Sequence, residues 1–345
     1  MYDFALEKSR PTPAQTYGGA MSFLLAADIG GTNSRFALFA LKESSATLPD
    51  LELVREQWLP TGQYGDFSDL ARDLRLQDGS PFVPPGTPLA SLGIAGPVLD
   101  DGCEPPNISW GIRIDEAAAA LNIPTVLLVN DFVAQGCACL LAALNARTRA
   151  ALEITELHSG KKNAAPFALV GAGSGCGKAL VLPDARRVLP SEGGHGEFPF
   201  RRDEEEFANQ LRDSLGERIV VEMAASGNGL RRLFMHHCGE DLPPAEICSR
   251  LNPPRTAAEQ RTLSWFARFY GRVCRNFVLD AMALGGLYIT GGMAMRVPVL
   301  EHPAFLESFW DSKEMGWLLR DVPVFHIRSQ RAGLWGAAAY GILHC

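Results

Sequence analysis

The segment Asp28–Asn33, with the sequence Asp-Ile-Gly-Gly-Thr-Asn, constrains this chain more than any other part of it. It lies between two apolar runs, 24–27 and 35–39, which predict a β-hairpin with two glycines and Thr32 in its turn. Glycine backbone in a tight turn lets main-chain N–H groups approach an anion, and a neighbouring carboxylate can hold Mg²⁺ directly or through water. The glycines lead into a second strand rather than a helix, unlike the two familiar glycine-rich nucleotide loops. The sequence therefore predicts a phosphate-binding hairpin.

The size and charge of the chain limit its class. With 345 residues, 47% of them hydrophobic, it can bury a large core and is expected to form two domains. A formal net charge of −7 argues against nucleic acid or an anionic membrane surface as a partner. No window has the length of a membrane span, and the apolar run 20–27 leads directly into Asp28, so it is not interpreted as a signal peptide. The eight cysteines contain no C-x-x-C pair, which favours reduced thiols and a cytoplasmic location.

Hydrophobic periodicity predicts strands that alternate with helices, which indicates an α/β fold. Beyond the hairpin at 23–41, strands are predicted at 51–58, 90–95, 125–129, 287–290 and 324–327. Helices are predicted at 66–75, 115–121, 132–147, 203–215, 217–225, 228–238, 244–251, 255–283 and 332–343. We expect a disordered N-terminal extension (1–21), a small α/β domain (22–141 plus 331–345) and a large α/β domain (142–330).

A second glycine hairpin resembles the first. Strands at 167–170 and 178–182 enclose a predicted turn, Gly171–Gly177, that contains Ser174 as the first turn contains Thr32. A structural turn explains a single glycine hairpin equally well, but it does not explain a matched pair with hydroxyls in both turns. Two such turns, facing each other across a cleft, could hold a triphosphate from both sides.

Asn130 and Asp131 follow a buried strand at its carboxyl end, where ligands bind in α/β sheets. In isolation, a cap on the next helix explains an acidic residue here equally well. As a catalyst, Asp131 would accept the proton of a substrate hydroxyl that attacks a γ-phosphoryl group, a reaction that otherwise needs mainly positioning and charge stabilisation.

Four further polar residues suit a polyhydroxyl ligand, whose hydroxyls both donate and accept hydrogen bonds. Glu192 and His195 share a glycine-rich loop that is too irregular for a helix or strand, although a single such residue on a loop is usually only solvated. Asn107 lies in an irregular Pro-Pro-Asn-Ile-Ser-Trp segment. The alternative to a ligand-binding role is a surface loop that is held by Trp110 in the core. Glu222 lies in an apolar stretch, where an unpaired carboxylate is costly to bury. His195 has no Cys or His partner at zinc-ligand spacing.

In motif order over residues 22–343, the chain resembles the bacterial ATP-dependent glucokinases of the actin-like, hexokinase-type superfamily. The motifs are Asp28–Asn33, Asn130-Asp131-Phe132, Gly171–Gly175, Leu189–His195 and Gly291-Gly292. The resemblance implies a two-domain actin-like, ribonuclease H-like fold with a central interdomain cleft. It also implies a homodimer that transfers the γ-phosphoryl group of ATP to the 6-hydroxyl of glucose.

The resemblance also assigns roles to individual residues. It implies Asp131 as the catalytic base, with hexose contacts from Asn107, Asn130, Asp131, Glu192, His195 and Glu222. It implies Mg²⁺ beside Asp28. It implies that ATP contacts Ala27, Asp28, Ile29, Gly30, Gly31, Thr32, Asn33, Gly173, Ser174, Gly175, Gly291 and Gly292.

Three residues depart from the family pattern. Lys178 occupies a position where an apolar or small residue is expected, and it either points outward or adds charge near a phosphate. Ser191 replaces a glycine before Glu192. Cys176 lies within the predicted phosphate turn and would make it sensitive to oxidation. A related branch of repressors and sugar kinases carries a cysteine-rich zinc loop, but 196–237 contain no cysteine, which disfavours that branch.

Two alternatives remain at the level of sequence. A non-catalytic sugar-binding regulator would keep the fold and the pocket, although an intact Asp28, Asp131 and both glycine turns argue against it. A kinase for another hexose, such as mannose, fructose or an N-acetyl hexosamine, is not distinguished by the sequence, because an epimer differs by one hydroxyl and its discrimination depends on pocket geometry. Domain closure over the sugar would exclude water as a competing acceptor.

Overall fold

The structure is a computed structural model, and it describes residues 22–42, 48–99, 101–161 and 163–344. The predicted N-terminal extension, 1–21, lies outside the described residues. Contacts divide the chain into two compact units: unit 1 runs to Thr148 and resumes at Arg331, and unit 2 spans Arg149–Gln330. The boundary expected after residue 141 falls within a helix, and the division by contacts lies beyond the end of that helix.

Unit 1 is built on a five-stranded sheet. Its elements in chain order are β1 (Ser22–Ile29), β2 (Asn33–Lys42), β3 (Asp50–Pro60), α1 (Phe67–Arg72), β4 (Leu89–Ile94), β5 (Val98–Leu99), β6 (Gly102–Cys103), β7 (Ile112–Arg113), α2 (Ile114–Leu121), β8 (Thr125–Asn130) and α3 (Asp131–Leu144). The strand order is β3-β2-β1-β4-β8, in which β1 to β3 are antiparallel and β1, β4 and β8 are parallel. Strands β5 to β7 form a separate small sheet.

Unit 2 is built on a six-stranded sheet of order β12-β11-β10-β13-β14-β9. After α4 (Ala146–Ala151), its elements are β9 (Ile154–His158), β10 (Phe167–Ala172), β11 (Cys176–Leu182), β12 (Arg187–Ser191), α5 (Glu205–Leu215), α6 (Val221–Ala224), α7 (Gly227–Cys238), α8 (Pro244–Arg250), α9 (Ala257–Ala281), β13 (Gly286–Thr290), α10 (Gly292–Arg296), α11 (Pro303–Trp310), α12 (Gly316–Leu319) and β14 (Val324–Ile327). The chain then returns to unit 1 as α13 (Ala332–His344).

Burial on both faces explains why the central strands are almost wholly apolar. In β1, Leu25 and Ala27 belong to the core shared with α1 and α2, whereas Leu24 faces α13, close to Gly341. Helix α13 packs on α3, β1 and β4, and the Trp335 ring meets the Phe39 ring edge-on at a centroid distance of 5.0 Å. A parallel sheet covered on both faces needs such continuous hydrophobic runs.

The mixed α/β architecture confirms the fold class at this level, and the predicted strands are all present. The structure corrects two helical predictions. The helix expected at 217–225 is only the single turn α6. The helix expected at 132–147 ends at Leu144, because the Asn145 side chain accepts hydrogen bonds from the N–H groups of Arg147 and Thr148 and so begins α4. Strands β9 and β12 and helices α10 to α12 were not predicted.

Candidate active site

The carboxyl ends of three parallel strands lie side by side in unit 1. In register, Ile29 of β1 pairs with Ile94 of β4, and Ile94 pairs with Asn130 of β8. The first glycine turn and Asp131 are therefore separated by a single strand. Polar groups that the sequence places far apart meet at this edge of the sheet, which is where ligands bind in α/β folds.

The first glycine turn has the close backbone approach that the sequence predicts. Gly30 N donates to Asn33 O at 3.1 Å, and the Thr61 hydroxyl donates to Gly30 O at 2.7 Å. A Cβ added at Gly31 would lie 2.8 Å from the carbonyl oxygen of Asn107, so only glycine fits here without a shift. Asn107 is thus brought directly against this turn, and its side chain is exposed.

Asp28 is an ion-paired carboxylate at the same edge. Its Oδ2 accepts a hydrogen bond from Arg35 Nη1 at 2.9 Å, and its side chain is 18% exposed. Gly333 at the start of α13 approaches so closely that a Cβ there would lie 2.4 Å from the Asp28 Cγ. Burial raises the pKa of Asp28, and Arg35 opposes that rise. The sequence prediction did not include Arg35 or Gly333 as partners of this carboxylate.

Asn130 and Asp131 have different local roles. The Asn130 side chain caps α3, because its Oδ1 accepts from Phe132 N at 3.0 Å and from Val133 N at 3.2 Å. Its Nδ2 donates to Gly96 O at 3.0 Å. Asn130 is therefore the N-cap residue, and the capping role considered for Asp131 is shared, because Asp131 Oδ1 also accepts from Phe132 N at 3.0 Å. Asp131 is the first residue of the helix, where the helix dipole stabilises a negative charge.

In unit 2, two glycine segments meet at the ends of the parallel strands β10 and β13. The register pairs Gly171 with Thr290, so the turn that follows β10 lies beside Gly291 and Gly292. A Cβ at Gly291 would lie 2.5 Å from Ala172 O, and its φ of +95° favours glycine. The turn itself is Gly173–Gly175, shorter than the predicted 171–177, because the strands extend further.

The N-terminus of α7 also reaches this turn, a contribution that sequence reasoning missed. Gly227 N donates to Gly173 O at 2.8 Å, and the Ser226 hydroxyl caps the helix at Gly229 N, 3.2 Å away. A helix N-terminus presents N–H groups and a positive dipole, both of which favour an anion. The signal was the Ser-Gly-Asn-Gly sequence, which the resemblance used only as a flank of Glu222.

Three predicted sugar-binding residues lie together in unit 2. His195 Nε2 is 3.8 Å from a Glu192 carboxylate oxygen, and its Nδ1 is 3.8 Å from Glu222 Oε1. Glu192 and His195 are exposed, and the Glu222 side chain is 34% exposed. Glu222 also reaches the glycine turn, since a Cβ at Gly175 would lie 2.8 Å from its Oε2. Carboxylates and imidazole are thus contiguous with the second glycine turn.

The residues that depart from the family pattern also lie here. Lys178 does not point outward: its side chain is buried, and its Nζ donates to Gly193 O at 2.9 Å. The Ser191 hydroxyl accepts from Gly193 N at 3.2 Å. Burial raises the pKa of the Cys176 thiol to about 11, with Lys178 opposing and Glu222 reinforcing that rise. Because a buried thiol of raised pKa is poorly reactive, the structure disfavours the oxidation sensitivity expected at Cys176.

The donor set limits which metal the site could hold. Among the described residues, no group of three or more His, Cys, Asp or Glu side chains is placed to hold a metal ion. Asp28 offers one carboxylate, and Mg²⁺ in phosphoryl-transfer sites is bound through one or two carboxylates together with substrate phosphates. The residues present therefore fit Mg²⁺ that arrives with a nucleotide.

Within the described part of the chain, every helix is too short or too polar to span a bilayer.

Comparisons with known proteins place these motifs in context. A family model described as glucokinase matches residues 25–343. Glucokinase from a Nostoc species is 30% identical over 350 residues, which cover 92% of this chain and 98% of that protein. A solved glucokinase from an Antarctic psychrotroph has a TM-score of 0.73 at 26% identity, covering 93% of this chain and 99% of the other. A ROK family glucokinase from Streptomyces griseus, solved in complex with glucose and AMPPNP, shares the fold, with a TM-score of 0.61 at 16% identity and coverage of 93% and 98%.

Proposed function

This chain belongs to the glucokinase family, and from that premise we propose that it transfers the γ-phosphoryl group of ATP to the 6-hydroxyl of glucose, with Asp131 as the general base. The family and the enzyme class, an ATP-dependent hexose kinase, confirm what the motifs predicted. The observation that carries the residue assignment is the position of Asp131. It begins α3 at the carboxyl end of β8, one strand away from the glycine turn of β1.

Asp131 acts on the acceptor. Its carboxylate takes the proton of the sugar 6-hydroxyl as that oxygen attacks the γ-phosphorus, while the bond to the β-phosphate oxygen breaks and ADP leaves. Phosphoryl transfer needs little covalent assistance, so orientation of this carboxylate is the main demand on the protein. Asn130 meets that demand, because its capping bonds and its bond to Gly96 O fix the first turn of α3.

Sugar recognition is assigned to six side chains. In unit 1 these are Asn107, Asn130 and Asp131, and in unit 2 they are Glu192, His195 and Glu222. The cluster around His195 supports the assignment, since its carboxylates can accept hydrogen bonds from hydroxyl groups while the imidazole can either donate or accept them. The exposure of Glu192 and His195 leaves their polar atoms available to a ligand.

Phosphate binding is assigned to backbone. Ala27–Asn33 in unit 1 and Gly173–Gly175 with Gly291 and Gly292 in unit 2 supply N–H groups at strand ends. The crowding at Gly31 and Gly291 supports this assignment, because only a bare backbone permits those approaches. Mg²⁺ held near Asp28 would neutralise charge on the phosphate oxygens.

The proposal includes the finer fold expected from the motifs, a two-domain actin-like fold with a central cleft. Its support is the strand order that the two sheets share, together with the TM-scores above. It also includes a homodimer, to be tested by light scattering after size-exclusion chromatography. A cytoplasmic location agrees with ATP as substrate and with the unpaired thiols of the described cysteines.

The deciding experiment is turnover of Asp131→Ala in an assay that couples ADP release to a readout, with a panel of hexoses as acceptors. We expect glucose to be the preferred acceptor of the wild type. We expect the variant to lose at least about three orders of magnitude in kcat, since its base is gone, while still binding glucose in calorimetry. Retained turnover would remove Asp131 from the mechanism, and glucose binding without any ADP release by the wild type would favour the regulator.

A further inference from the structure

Two of the departures from the family pattern are neighbours in the fold. Lys178 of β11 and Ser191 of β12 are register partners on adjacent antiparallel strands. Both side chains reach the same residue, Gly193, one at its carbonyl oxygen and the other at its N–H. Lys178 Nζ donates to Gly193 O at 2.9 Å, and Gly193 N donates to Ser191 Oγ at 3.2 Å.

The position of the Lys178 ammonium needs an explanation. The residue is 7% exposed, and lysine is almost never so buried unless it is paired. Within the described residues it has no carboxylate at ion-pair distance. Its Nζ lies over the Phe277 ring, 5.5 Å from the centroid, and the Gly193 carbonyl accepts its hydrogen bond. An apolar side chain of the same length would fill this space without the cost of burying a charge.

The residue held in this way controls the predicted sugar-binding loop. Gly193 follows Glu192 and begins the single helical turn Gly193–His195, which ends with His195. The same turn packs closely against the start of β11, because a Cβ at Gly194 would lie 2.1 Å from Cys176 O. Fixing Gly193 at both its N–H and its C=O therefore fixes the directions in which the Glu192 and His195 side chains leave the backbone.

We propose that Lys178 and Ser191 form a clamp on Gly193 that holds the Glu192–His195 turn in its sugar-binding conformation. They are positioning residues, and they act on glucose affinity through the turn without touching the sugar. This inference rests on the proposed function for its kinetic consequence, but the clamp itself is a property of the free protein. Where the family pattern leads us to expect an apolar or small residue, Lys178 makes a charge-assisted hydrogen bond. Where it leads us to expect a glycine, Ser191 supplies a hydroxyl that accepts a hydrogen bond.

The test uses Lys178→Met, which keeps the stem and removes the ammonium, and Ser191→Ala, which keeps the strand and removes the hydroxyl. Ser191→Thr retains a hydroxyl as a conservative variant. Lys161→Met is the matched control, since Lys161 is an exposed lysine of unit 2 that bonds Asp321. For each protein, kcat and the KM values for glucose and ATP are measured, together with hydrogen exchange of the amides in 192–196.

We expect Lys178→Met and Ser191→Ala each to raise the glucose KM about five- to tenfold, the scale of one lost hydrogen bond to a charged or well-placed partner. We expect kcat and the ATP KM to stay within about twofold, and the exchange of 192–196 to accelerate. Ser191→Thr and Lys161→Met should match the wild type. Because both side chains hold one turn, the double variant should raise the glucose KM by less than the product of the single effects.

Several results would overturn the clamp. An unchanged glucose KM with unchanged exchange in both single variants would show that the turn does not depend on these bonds. A rise in the ATP KM instead would place Lys178 at a phosphate. If Lys178→Met fails to fold, Ser191→Ala still decides the outcome. Absence of wild-type turnover would count against the proposed function alone, because accelerated exchange in 192–196 would still support the clamp.

Discussion

At the scale of single residues, Gly175 leaves the space that Glu222 occupies. A Cβ at Gly175 would lie 2.8 Å from Glu222 Oε2, whereas a Cβ at Gly173 would meet no atom within 4 Å. The two glycines share one turn and differ in whether an added Cβ would meet Glu222. They therefore offer a matched pair for testing whether Glu222 binds the sugar.

We expect Gly175→Ala to displace the Glu222 carboxylate and to raise the glucose KM about tenfold, the equivalent of one charged hydrogen bond. The clash is with the end of a flexible side chain, so the free energy of unfolding should change by no more than about 0.5 kcal/mol. Steady-state kinetics and urea unfolding measure the two effects. Gly173→Ala serves as the control, and an equal rise in glucose KM in both variants would exclude Glu222 as the cause.

His237 provides a residue-scale prediction about pH. Burial, with smaller contributions from His236 and Arg261, lowers the pKa of His237 to about 4. The folded state therefore binds fewer protons than the unfolded state between pH 4 and the ordinary histidine value. Stability from this residue is present above pH 6.5 and is lost as pH falls toward 4.

His237→Gln should flatten that pH dependence. Between pH 7 and pH 5, we expect the free energy of unfolding to fall by about 1 kcal/mol less in the variant than in the wild type. This is roughly half of what the pKa difference of His237 alone would give, because the ring is partly exposed to solvent. Denaturant unfolding at the two pH values measures this difference. His344→Gln, at an exposed ring, is the control, and an identical loss in His237→Gln and the wild type would contradict the assignment.

At the scale of elements, the cap of α3 links stability to the reactive carboxylate. Asn130→Ala removes both bonds to the first turn of α3 and the bond to Gly96 O, so we expect about 1–2 kcal/mol of lost stability. Asn130→Asp keeps the capping oxygen and should recover most of that loss. Urea unfolding compares the two variants, and equal destabilisation by both would show that the cap is not the stabilising contact.

The elements also show what a single sequence can and cannot predict. Helix α9 was predictable from the periodic spacing of its apolar residues, and α13 and the central strands from their continuous apolar sequences. Strand β12 was missed, since Arg187–Ser191 owes its pairing to β11 and has little β propensity of its own. The helix expected at 217–225 is mostly absent because Phe198 N bonds Ile219 O and Val221 N bonds Gly196 O, which takes that backbone into a loop pairing.

The same division applies to the candidate site. Motifs identified the glycine turns, the Asn130-Asp131 pair and the loop of Glu192 and His195. The Arg35 partner of Asp28 was not predictable, because it depends on the register that pairs those two residues on β1 and β2. The Gly193 contact of Lys178 was not predictable either, because it depends on the turn that follows β12, the strand paired with β11. From the sequence alone, the Asp28 carboxylate and the Lys178 ammonium would be assigned to solvent or to a ligand.

At the scale of the whole molecule, each unit has its own sheet and its own core. Both sheets have three antiparallel strands followed by two parallel ones, in the orders β3-β2-β1-β4-β8 and β12-β11-β10-β13-β14, and unit 2 adds β9 at its edge. The near-repeat of glycine hairpins in the sequence falls at the same place in both orders, between the second and third strands, which are β2 and β1 in unit 1 and β11 and β10 in unit 2. The glycine motifs are therefore tied to one recurring topology.

The units differ in how the chain closes them, and this difference gives the last prediction. Helix α13 comes from the C-terminal end of the chain and buries Leu334 and Trp335 in unit 1, whereas the buried core of unit 2 includes no residue from 331 onward. Full burial of a large apolar side chain contributes about 1.5–3 kcal/mol, so Leu334 and Trp335 together supply a large part of the 5–15 kcal/mol that typically stabilises a domain. Loss of the helix would also expose the faces of β1 and β4 on which it packs. We expect deletion of residues 331–345 to abolish hydrogen-exchange protection in β1 and β4 while β10 and β13 keep theirs. Protection retained in β1 and β4, or lost equally in both sheets, would show that the units do not depend on α13 in this way.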